Sequence, residues 1–238
     1  MIQDIKSKCG IFNCLIILNL IFITSVSSQE KKDFELVFVS NFNQNPIEKN
    51  KWYISKNNDS IQLSTIKFYL TNFRIKNKNS SILLENQYHL VDVLNDKNLN
   101  LYIPNIHFNN DAYLVFDLGV DEKLNTSGAN SGDLDPINGM FWSWQSGYIN
   151  FKIEGTSPSC NTRKNKFQFH IGGYQIPYET LRTISFKLDS NKNKLVVNLE
   201  FSNFFNKINL KTENHIMTPG KDANTLMNQL VNIFNENL

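Results

Sequence analysis

The sequence alternates apolar and polar residues in many short runs that are separated by turn-forming residues. In residues 65–76, TIKFYLTNFRIK, the side chains of Ile66, Phe68 and Leu70 fall on one side of an extended chain. Alternation with a period of two is typical of strands that bury one face, because successive side chains point to opposite sides. Similar runs occupy residues 34–40, 82–94, 112–119, 148–155, 166–172, 182–189 and 195–201. The pattern therefore predicts a chain built mainly of short strands.

The C-terminal segment changes to a helical period. Its apolar residues recur at intervals of three and four, at Ala223, Leu226, Leu230, Val231 and Phe234. This spacing predicts one amphipathic helix, with Asp222 as a candidate cap. Residues 190–193, SNKN, predict a hairpin turn between the two runs beside them. Because no alternation of strands and helices indicates a parallel sheet, the predicted fold is all-β, an antiparallel β-sandwich or open barrel with a short C-terminal helix.

The N-terminal residues 1–28 have the composition of a secretory signal peptide. Two lysines precede an apolar run at 14–23, and small residues before Gln29 suit cleavage there. The apolar run is shorter than the ~20 residues needed to span a bilayer. We therefore expect a soluble periplasmic or secreted protein with no stable membrane anchor after cleavage. Residues 29–238 are expected to form a single β domain.

Charge, cysteine content and the absence of catalytic motifs narrow the function. Lys and Arg number 24 against 22 Asp and Glu, so the net charge of +2 argues against the concentrated basic face that nucleic acid requires. Without the signal peptide Cys160 is the one remaining cysteine, so we expect no internal disulfide. No GxSxG motif, glycine-rich phosphate loop or convincing carboxylate pair occurs. The chain is therefore not expected to be an enzyme.

Two of the three tryptophans lie in residues 132–155, at Trp142 and Trp144, with one residue between them. In an extended chain both indoles lie on the same face. Aromatic pairs are common in ordinary cores, so packing alone explains such a pair. A turn-rich approach at residues 133–139 delivers both indoles to one place, and the pair either anchors a core or forms part of a binding site.

Three segments carry a family resemblance: GMFWSWQSGY at 139–148, YHLVD at 88–92 and FHIGGY at 169–174. They resemble the MbnP family of copper-binding proteins from methanobactin operons, to which the methanotroph proteins CorA and MopE are related. The resemblance extends over residues 34–234, nearly the whole mature chain. The tryptophan segment is its most specific part, and the two histidine segments support it.

The residues themselves allow a metal site only if distant strands assemble it, because no HExxH or CxxC motif is present. Imidazole nitrogen is a good copper ligand, whereas an unmodified indole offers only an N–H donor. The resemblance implies a solution, since in relatives a tryptophan is oxidised to kynurenine, whose amine binds copper with histidines. It implies oxidation of Trp142 or Trp144.

The resemblance also implies the ligands and the partner. His89 and His170 are the leading ligands, His215 ranks next, and the thioether of Met217 is close to it in sequence. A dihaem cytochrome c peroxidase-like partner performs the oxidation, so this chain is its substrate. His107 matches no family segment and is expected on the surface or in a loop.

Two other interpretations of the same residues stay open. Calcium suits the oxygen-rich loop that contains Asp117, Asp121, Asn125, Asn130, Asp133 and Asp135, although turn formation explains these residues more simply. Alternatively, Trp142, Trp144 and Tyr148 form the stacking platform of a non-catalytic carbohydrate- or ligand-binding β-sandwich module. A platform needs exposed, coplanar rings without nearby histidines, whereas a metal site needs an imidazole beside an indole.

Overall fold

A computed structural model describes residues 32–84, 88–144 and 147–236. The signal peptide predicted for residues 1–28 lies outside the described residues. The described strands and helices belong to one compact unit, Lys31–Leu238. Within the described ranges, no helix has the length and apolar character that crossing a membrane requires.

Strands provide most of the regular backbone. In chain order the described strands are β1 (Lys32–Phe42), β2 (Asn45–Pro46), β3 (Trp52–Ile54), β4 (Ser60–Lys76), β5 (Ser81–Leu83), β6 (His89–Asp92), β7 (Asn100–Ile106), β8 (Tyr113–Leu118), β9 (Phe141–Trp142), β10 (Gly147–Thr156), β11 (Lys166–Gly172), β12 (Arg182–Lys187), β13 (Lys194–Glu200), β14 (His215–Ile216) and β15 (Phe234–Glu236). The α-helices are α1 (Glu122–Thr126), α2 (Ser202–Phe205) and α3 (Lys221–Leu230). Short 3-10 turns occupy Val93–Asn95, Gly132–Leu134, Pro136–Asn138, Arg163–Asn165 and Val231–Ile233.

The smaller sheet has five strands and is organised around β1. One edge of β1 pairs in parallel with β13, and the other edge pairs in antiparallel fashion with β7 and β2. Strand β15 extends the sheet beyond β13. The side chains of Phe34, Leu36 and Phe38 alternate along β1 and are all buried, as the period of two predicts.

The larger sheet has ten strands and is organised around the long strand β4. One edge of β4 pairs first with β10 and then with β8, and the opposite edge pairs with the short strands β3, β6 and β5. Strands β11 and β14 continue the sheet beyond β10, and β12 continues it beyond β8. Strand β10 pairs with β4 as far as Phe68, and β8 pairs with it from Leu70 onwards, with a register shift in the β4–β8 pair between Thr71 and Arg74.

Phenylalanine rings join the inner faces of the two sheets. Phe38 of the small sheet contacts Phe68 and Phe116 of the large sheet, with ring centroids 6.5 and 6.4 Å apart. Both contacts are edge-to-face, an arrangement worth about 0.5–1.5 kcal/mol per pair beyond area burial. The all-β sandwich with a short C-terminal helix is therefore confirmed. The parallel pairs β1–β13 and β11–β14 make both sheets mixed.

The C-terminal helix is shorter than predicted, because Val231 lies in a 3-10 turn and Phe234 in β15. Two further local predictions were wrong. The turn at 190–193 does not close a hairpin, because β12 pairs with β8 in the large sheet while β13 pairs with β1 in the small one. The turn instead carries the chain from one sheet to the other. Asp222 does not cap α3, whose N-cap is Gly220 with no side-chain cap hydrogen bond. Asp222 lies in the first turn, where an acidic side chain favours the helix dipole.

Candidate functional site

A second apolar cluster lies on the outer face of the large sheet, on the opposite side from the phenylalanine core. Its members are Tyr69, Leu90, Val120, Leu134, Met140, Trp142, Tyr148 and Ile149, and we call them the outer cluster. Tyr69 faces outwards because it alternates in β4 with Phe68 and Leu70, which belong to the core. The segment 120–142 folds over this face and buries it.

Hydrogen bonds from side chains to backbone hold that segment in place. The buried amide of Asn125 donates to the carbonyl oxygens of Val120 and Asp121 at 2.8 and 2.9 Å and accepts from the Tyr148 N–H at 2.7 Å. Asp121 caps α1 by accepting from the N–H of Leu124 at 2.9 Å. Because Tyr148 belongs to β10, these bonds fix the segment directly to the large sheet.

Asp133 fixes the same segment to the opposite edge of β4. Its carboxylate accepts hydrogen bonds from the Leu90 N–H, the Lys97 ammonium and the Asn98 amide at 2.8, 2.8 and 2.9 Å. Burial raises the pKa of Asp133, but the Lys97 and Leu90 hydrogen bonds outweigh burial, so the pKa lies below its usual value. A lowered pKa means that the carboxylate stabilises the fold above its unfolded pKa of about 4, and that this contribution is lost as pH falls through the folded value.

Replacement of Asp133 by Asn is expected to lower the free energy of unfolding by about 1–2 kcal/mol at neutral pH, because hydrogen bonds to a charged group are weakened. The difference between the two proteins is expected to shrink as pH falls below about 4, where Asp133 becomes protonated in the unfolded wild type. Urea unfolding at neutral pH and at a pH below about 4 measures the free energy of unfolding of both proteins. Asp135→Asn is the matched control, since Asp135 holds the Ile137 N–H and Asn also caps well. An Asp133→Asn effect that does not vary with pH would contradict the assignment.

Trp142 is the buried aromatic anchor of the outer cluster. It lies in β9, which pairs with β10 through Gly147, and its side chain is 5% exposed. Its indole Nε1 is buried and has no hydrogen-bond partner among the described residues. A buried N–H without an acceptor costs about 1–3 kcal/mol, so this atom is an unusual feature of the cluster. Trp142 also lines a cavity of about 300 Å³.

Gly172 makes room for the Trp142 ring. A Cβ atom built on Gly172 lies 2.7 Å from Cζ3 and 3.0 Å from Cη2 of Trp142, and it also collides with the carbonyl oxygen of Tyr148. No side chain fits this position without moving the indole or the backbone of β10. The indole therefore packs against β11 at the position two residues after His170.

His170 lies on the same outer face. It pairs across β10 and β11 with Lys152, which in turn pairs with Lys67 of β4, and paired residues share a face. The side chain of His170 is 7% exposed, and its Nε2 lies 2.7 Å from Oε1 of Glu154. That hydrogen bond is the largest of several causes that lower the pKa of Glu154 to about 2. Gly172, which meets the Trp142 ring, is two residues after His170 in β11, so both residues face the same side of the sheet. His170 is therefore the next side chain along β11 on the face that Trp142 covers.

His215 joins this face through the parallel pair β11–β14. It pairs with Gln168, which alternates with Phe169 and so points outwards like His170. The Cα atoms of His215 and His170 are therefore diagonal neighbours about 8 Å apart. His215 is exposed, and Met217 follows it as a half-buried residue. The chain continues alongside β11, because Pro219 lies 3.0 Å from a Cβ built on Gly173.

His89 does not join them. It pairs with Leu70 of β4 and contacts the ring of Phe73 with centroids 5.7 Å apart, so it lies on the inner face of the sheet. Burial lowers the pKa of His89. His170 is three strand spacings away, about 14 Å, and points to the outer face. The structure thus brings Trp142, His170 and His215 to one face and leaves out His89. His107 is exposed after β7, as expected.

The aromatic residues do not form a stacking platform. Trp144 is 62% exposed, but Trp142 and Tyr148 are buried. The two indole rings are 5.8 Å apart and tilted by 48°. A carbohydrate platform needs exposed and coplanar rings, so this geometry argues against the binding-module interpretation.

The oxygen-rich loop does not offer a calcium cage among the described residues. Asp117 forms a bidentate ion pair with Arg74 and accepts a hydrogen bond from the Thr183 hydroxyl. Asp121 and Asp135 cap short helices. Asp133 is occupied by Lys97 and the other donors given above. Asp117 and Asp121 also share the Asn72 amide as a donor, at 3.1 and 3.3 Å, so protein donors already occupy these carboxylates.

The donor types on the outer face fit copper, although one donor is missing from the unmodified chain. Over the described ranges, no three His, Cys, Asp or Glu side chains are placed to hold a metal ion. Imidazole and thioether groups are suitable copper ligands, and both types occur on this face. Nε1 of Trp142 is buried and has no hydrogen-bond partner among the described residues, and it is the atom that becomes an aryl amine if the indole is opened to kynurenine.

Comparison with known proteins gives two matches of different weight. A sequence model of the MbnP family matches residues 31–219 of the chain. The solved structure of MbnP from Methylosinus trichosporium is similar, with a TM-score of 0.57 and 15% sequence identity, covering 76% of this chain and 80% of that one. No curated protein sequence matches the chain. At 15% identity the structural likeness shows a shared fold, whereas the family match covers more than half of the sequence.

Proposed function

The chain belongs to the MbnP family, and we propose that it is an exported copper-binding protein whose site forms on the outer face of the large sheet once Trp142 has become kynurenine. The observation that carries the proposal is the buried Nε1 of Trp142, which has no hydrogen-bond partner among the described residues, on the face that also bears His170 and His215. The protein takes part in copper acquisition or storage, in the periplasm or outside the cell. It has no catalytic activity of its own.

The modification is a four-electron oxidation of the indole. Two peroxide equivalents deliver two oxygen atoms across the C2–C3 bond, which breaks, and two water molecules leave. Hydrolysis of the resulting N-formyl group then releases formate and leaves an aryl amine on the former indole nitrogen. Peroxide is the oxidant, and a dihaem cytochrome c peroxidase-like partner catalyses its use, since the described residues contain no oxidising group of their own.

Burial favours Trp142 over Trp144 as the modified residue. An amine formed at Nε1 of Trp142 is shielded from water and already lacks a competing hydrogen-bond acceptor among the described residues. An amine formed on the 62% exposed Trp144 is hydrated, and water competes with the metal. The surroundings of Trp142 also include Tyr148 and Met140, which supply the dry environment that controls the redox state of bound copper.

His170 is the first imidazole ligand in this proposal and His215 is the second. His170 is buried and lies two residues before Gly172, which meets the Trp142 ring, so it is already close to the site. His215 is exposed, so it approaches from the open side of the site, with Met217 as a further soft donor. His89 has no part in the site, because its side chain lies on the inner face.

The test uses the mature chain produced together with a dihaem peroxidase partner. His170→Ala is expected to weaken copper binding by the modified protein at least about 100-fold, because a direct ligand is lost, whereas loss of a group around a metal costs about 10- to 100-fold. His89→Ala and the exposed control His107→Ala are expected to leave copper affinity within about twofold of wild type. Isothermal titration with a competing chelator measures all three. Equal losses for His89→Ala and His170→Ala would contradict the one-face site.

A further inference from the structure

Glu154 and His170 form a close contact that joins β10 to β11 on the outer face. Glu154 pairs directly with Gln168, and His170 is two residues further along β11, so the two side chains meet diagonally. Oε1 of Glu154 lies 2.7 Å from Nε2 of His170. The side chains are 25% and 7% exposed, so water competes weakly for this bond.

Two further side chains hold the carboxylate in position. The hydroxyl of Thr65 donates to Oε2 at 3.1 Å, and the amide of Gln168 donates to Oε1 at 3.4 Å. Thr65, Glu154 and Gln168 come from three adjacent strands, β4, β10 and β11. A group accepting hydrogen bonds from three side chains behaves as a carboxylate, which is an acceptor only.

The direction of the hydrogen bond fixes the imidazole. Because the carboxylate only accepts, Nε2 of His170 must carry the proton that lies between them. In neutral imidazole one nitrogen carries a proton and the other has a free lone pair. The lone pair of His170 is then on Nδ1, for which the described residues supply no hydrogen bond.

We propose that Glu154 is a positioning residue, which holds His170 in the tautomer and orientation that offer Nδ1 to copper. This inference rests on the proposed copper site and adds to it the coordinating atom and the residue that selects it. Carboxylates that bind the distal nitrogen of a ligating histidine commonly orient the ring and raise its basicity. Here the three-strand hydrogen-bond network sets that orientation before any metal arrives.

The first test reads the tautomer in the metal-free protein. Nitrogen-15 NMR at alkaline pH, where imidazole is neutral, is expected to show His170 protonated at Nε2 in the wild type. Glu154→Ala is expected to mix the two tautomers, while Glu154→Gln keeps a carbonyl acceptor and retains the Nε2–H form. Asp92→Asn is the matched control, because Asp92 is a buried acid on the same face that pairs with Lys67. A wild-type protein with the proton on Nδ1 would overturn the inference whatever its copper affinity.

The second test measures copper binding by the modified protein. Glu154→Ala is expected to weaken copper about 10- to 100-fold, Glu154→Gln less, and Asp92→Asn by less than about twofold. If wild type binds copper through His170 but Glu154→Ala matches it in affinity and tautomer, the positioning role fails and the copper site stands. If the modified wild type binds no copper, the proposed function fails and this inference fails with it. Circular dichroism confirms that each variant is folded.

Discussion

Replacement of Trp142 by phenylalanine is expected to abolish the kynurenine mass change and to weaken copper binding by at least about 100-fold, because a direct donor is lost and not only a surrounding group. Kynurenine formation exchanges one carbon atom for one oxygen, so intact-protein mass spectrometry detects it. Phenylalanine is also apolar and aromatic, and it removes a buried Nε1 that has no partner among the described residues, so the fold is expected to survive the smaller ring.

Trp144→Phe is the matched control for that experiment. Trp144 is two residues away in the same segment but is 62% exposed. The Trp144→Phe protein is expected to retain the mass change and to bind copper with an affinity within a few-fold of wild type. Peptide mapping then locates the modification at residue 142. If the mass change disappears in Trp144→Phe and persists in Trp142→Phe, burial of the nitrogen does not select the modified residue.

Gly172→Val is expected to lower the free energy of unfolding by about 1–3 kcal/mol or more and to prevent oxidation of Trp142 in the protein that still folds. The added side chain occupies the space of Cζ3 and Cη2 of Trp142 and meets the carbonyl oxygen of Tyr148. Denaturant unfolding measures the stability, and near-ultraviolet circular dichroism reports the indole environment. Gly172→Ala gives the same displacement at a smaller stability cost.

Gly155→Val is the matched control for Gly172→Val. It distinguishes a general loss of stability caused by steric crowding from displacement of the Trp142 indole. Gly155 lies in β10 away from Trp142, and a Cβ atom there meets the Gln62 carbonyl and Cζ of Phe167. It is expected to destabilise the protein by a similar amount, while the folded fraction still acquires kynurenine. Loss of the modification in both variants would show that stability, and not the position of Trp142, controls oxidation.

Period-two alternation predicted the strands well because it is a local property. The run at 65–76 lies within β4, and the run at 166–172 coincides with β11. The burial of Phe167 and Phe169 against the outward Gln168 also follows from alternation. The helical spacing after residue 220 identified α3 for the same reason.

Pairing between distant segments could not be predicted in this way. The turn at 190–193 has hairpin composition, yet the strands on either side belong to different sheets. Strand β12 before the turn pairs with β8, and strand β13 after it pairs with β1. Local composition predicts the turn, but it does not predict the strands with which β12 and β13 pair. The parallel pair β11–β14, which brings His215 beside His170, has no local signal either.

The residues of the candidate site were predicted only in part, because their arrangement depends on pairing between distant strands. Family resemblance selected the tryptophans and histidines, but only the register across β6, β4, β10 and β11 shows that His89 and His170 face opposite sides. Glu154 was missed altogether. Its alternation with Ile153 and its place in β10 predict an outward carboxylate, but the diagonal contact with His170 depends on the β10–β11 register.

The most direct measurement is a crystal structure of the oxidised, copper-loaded protein with anomalous scattering at the copper edge. We expect one copper ion on the outer face, bonded to the aryl amine at position 142 and to Nδ1 of His170, with His215 or Met217 completing the site. Copper bound at His89 on the inner face, or at an oxidised Trp144, would contradict it.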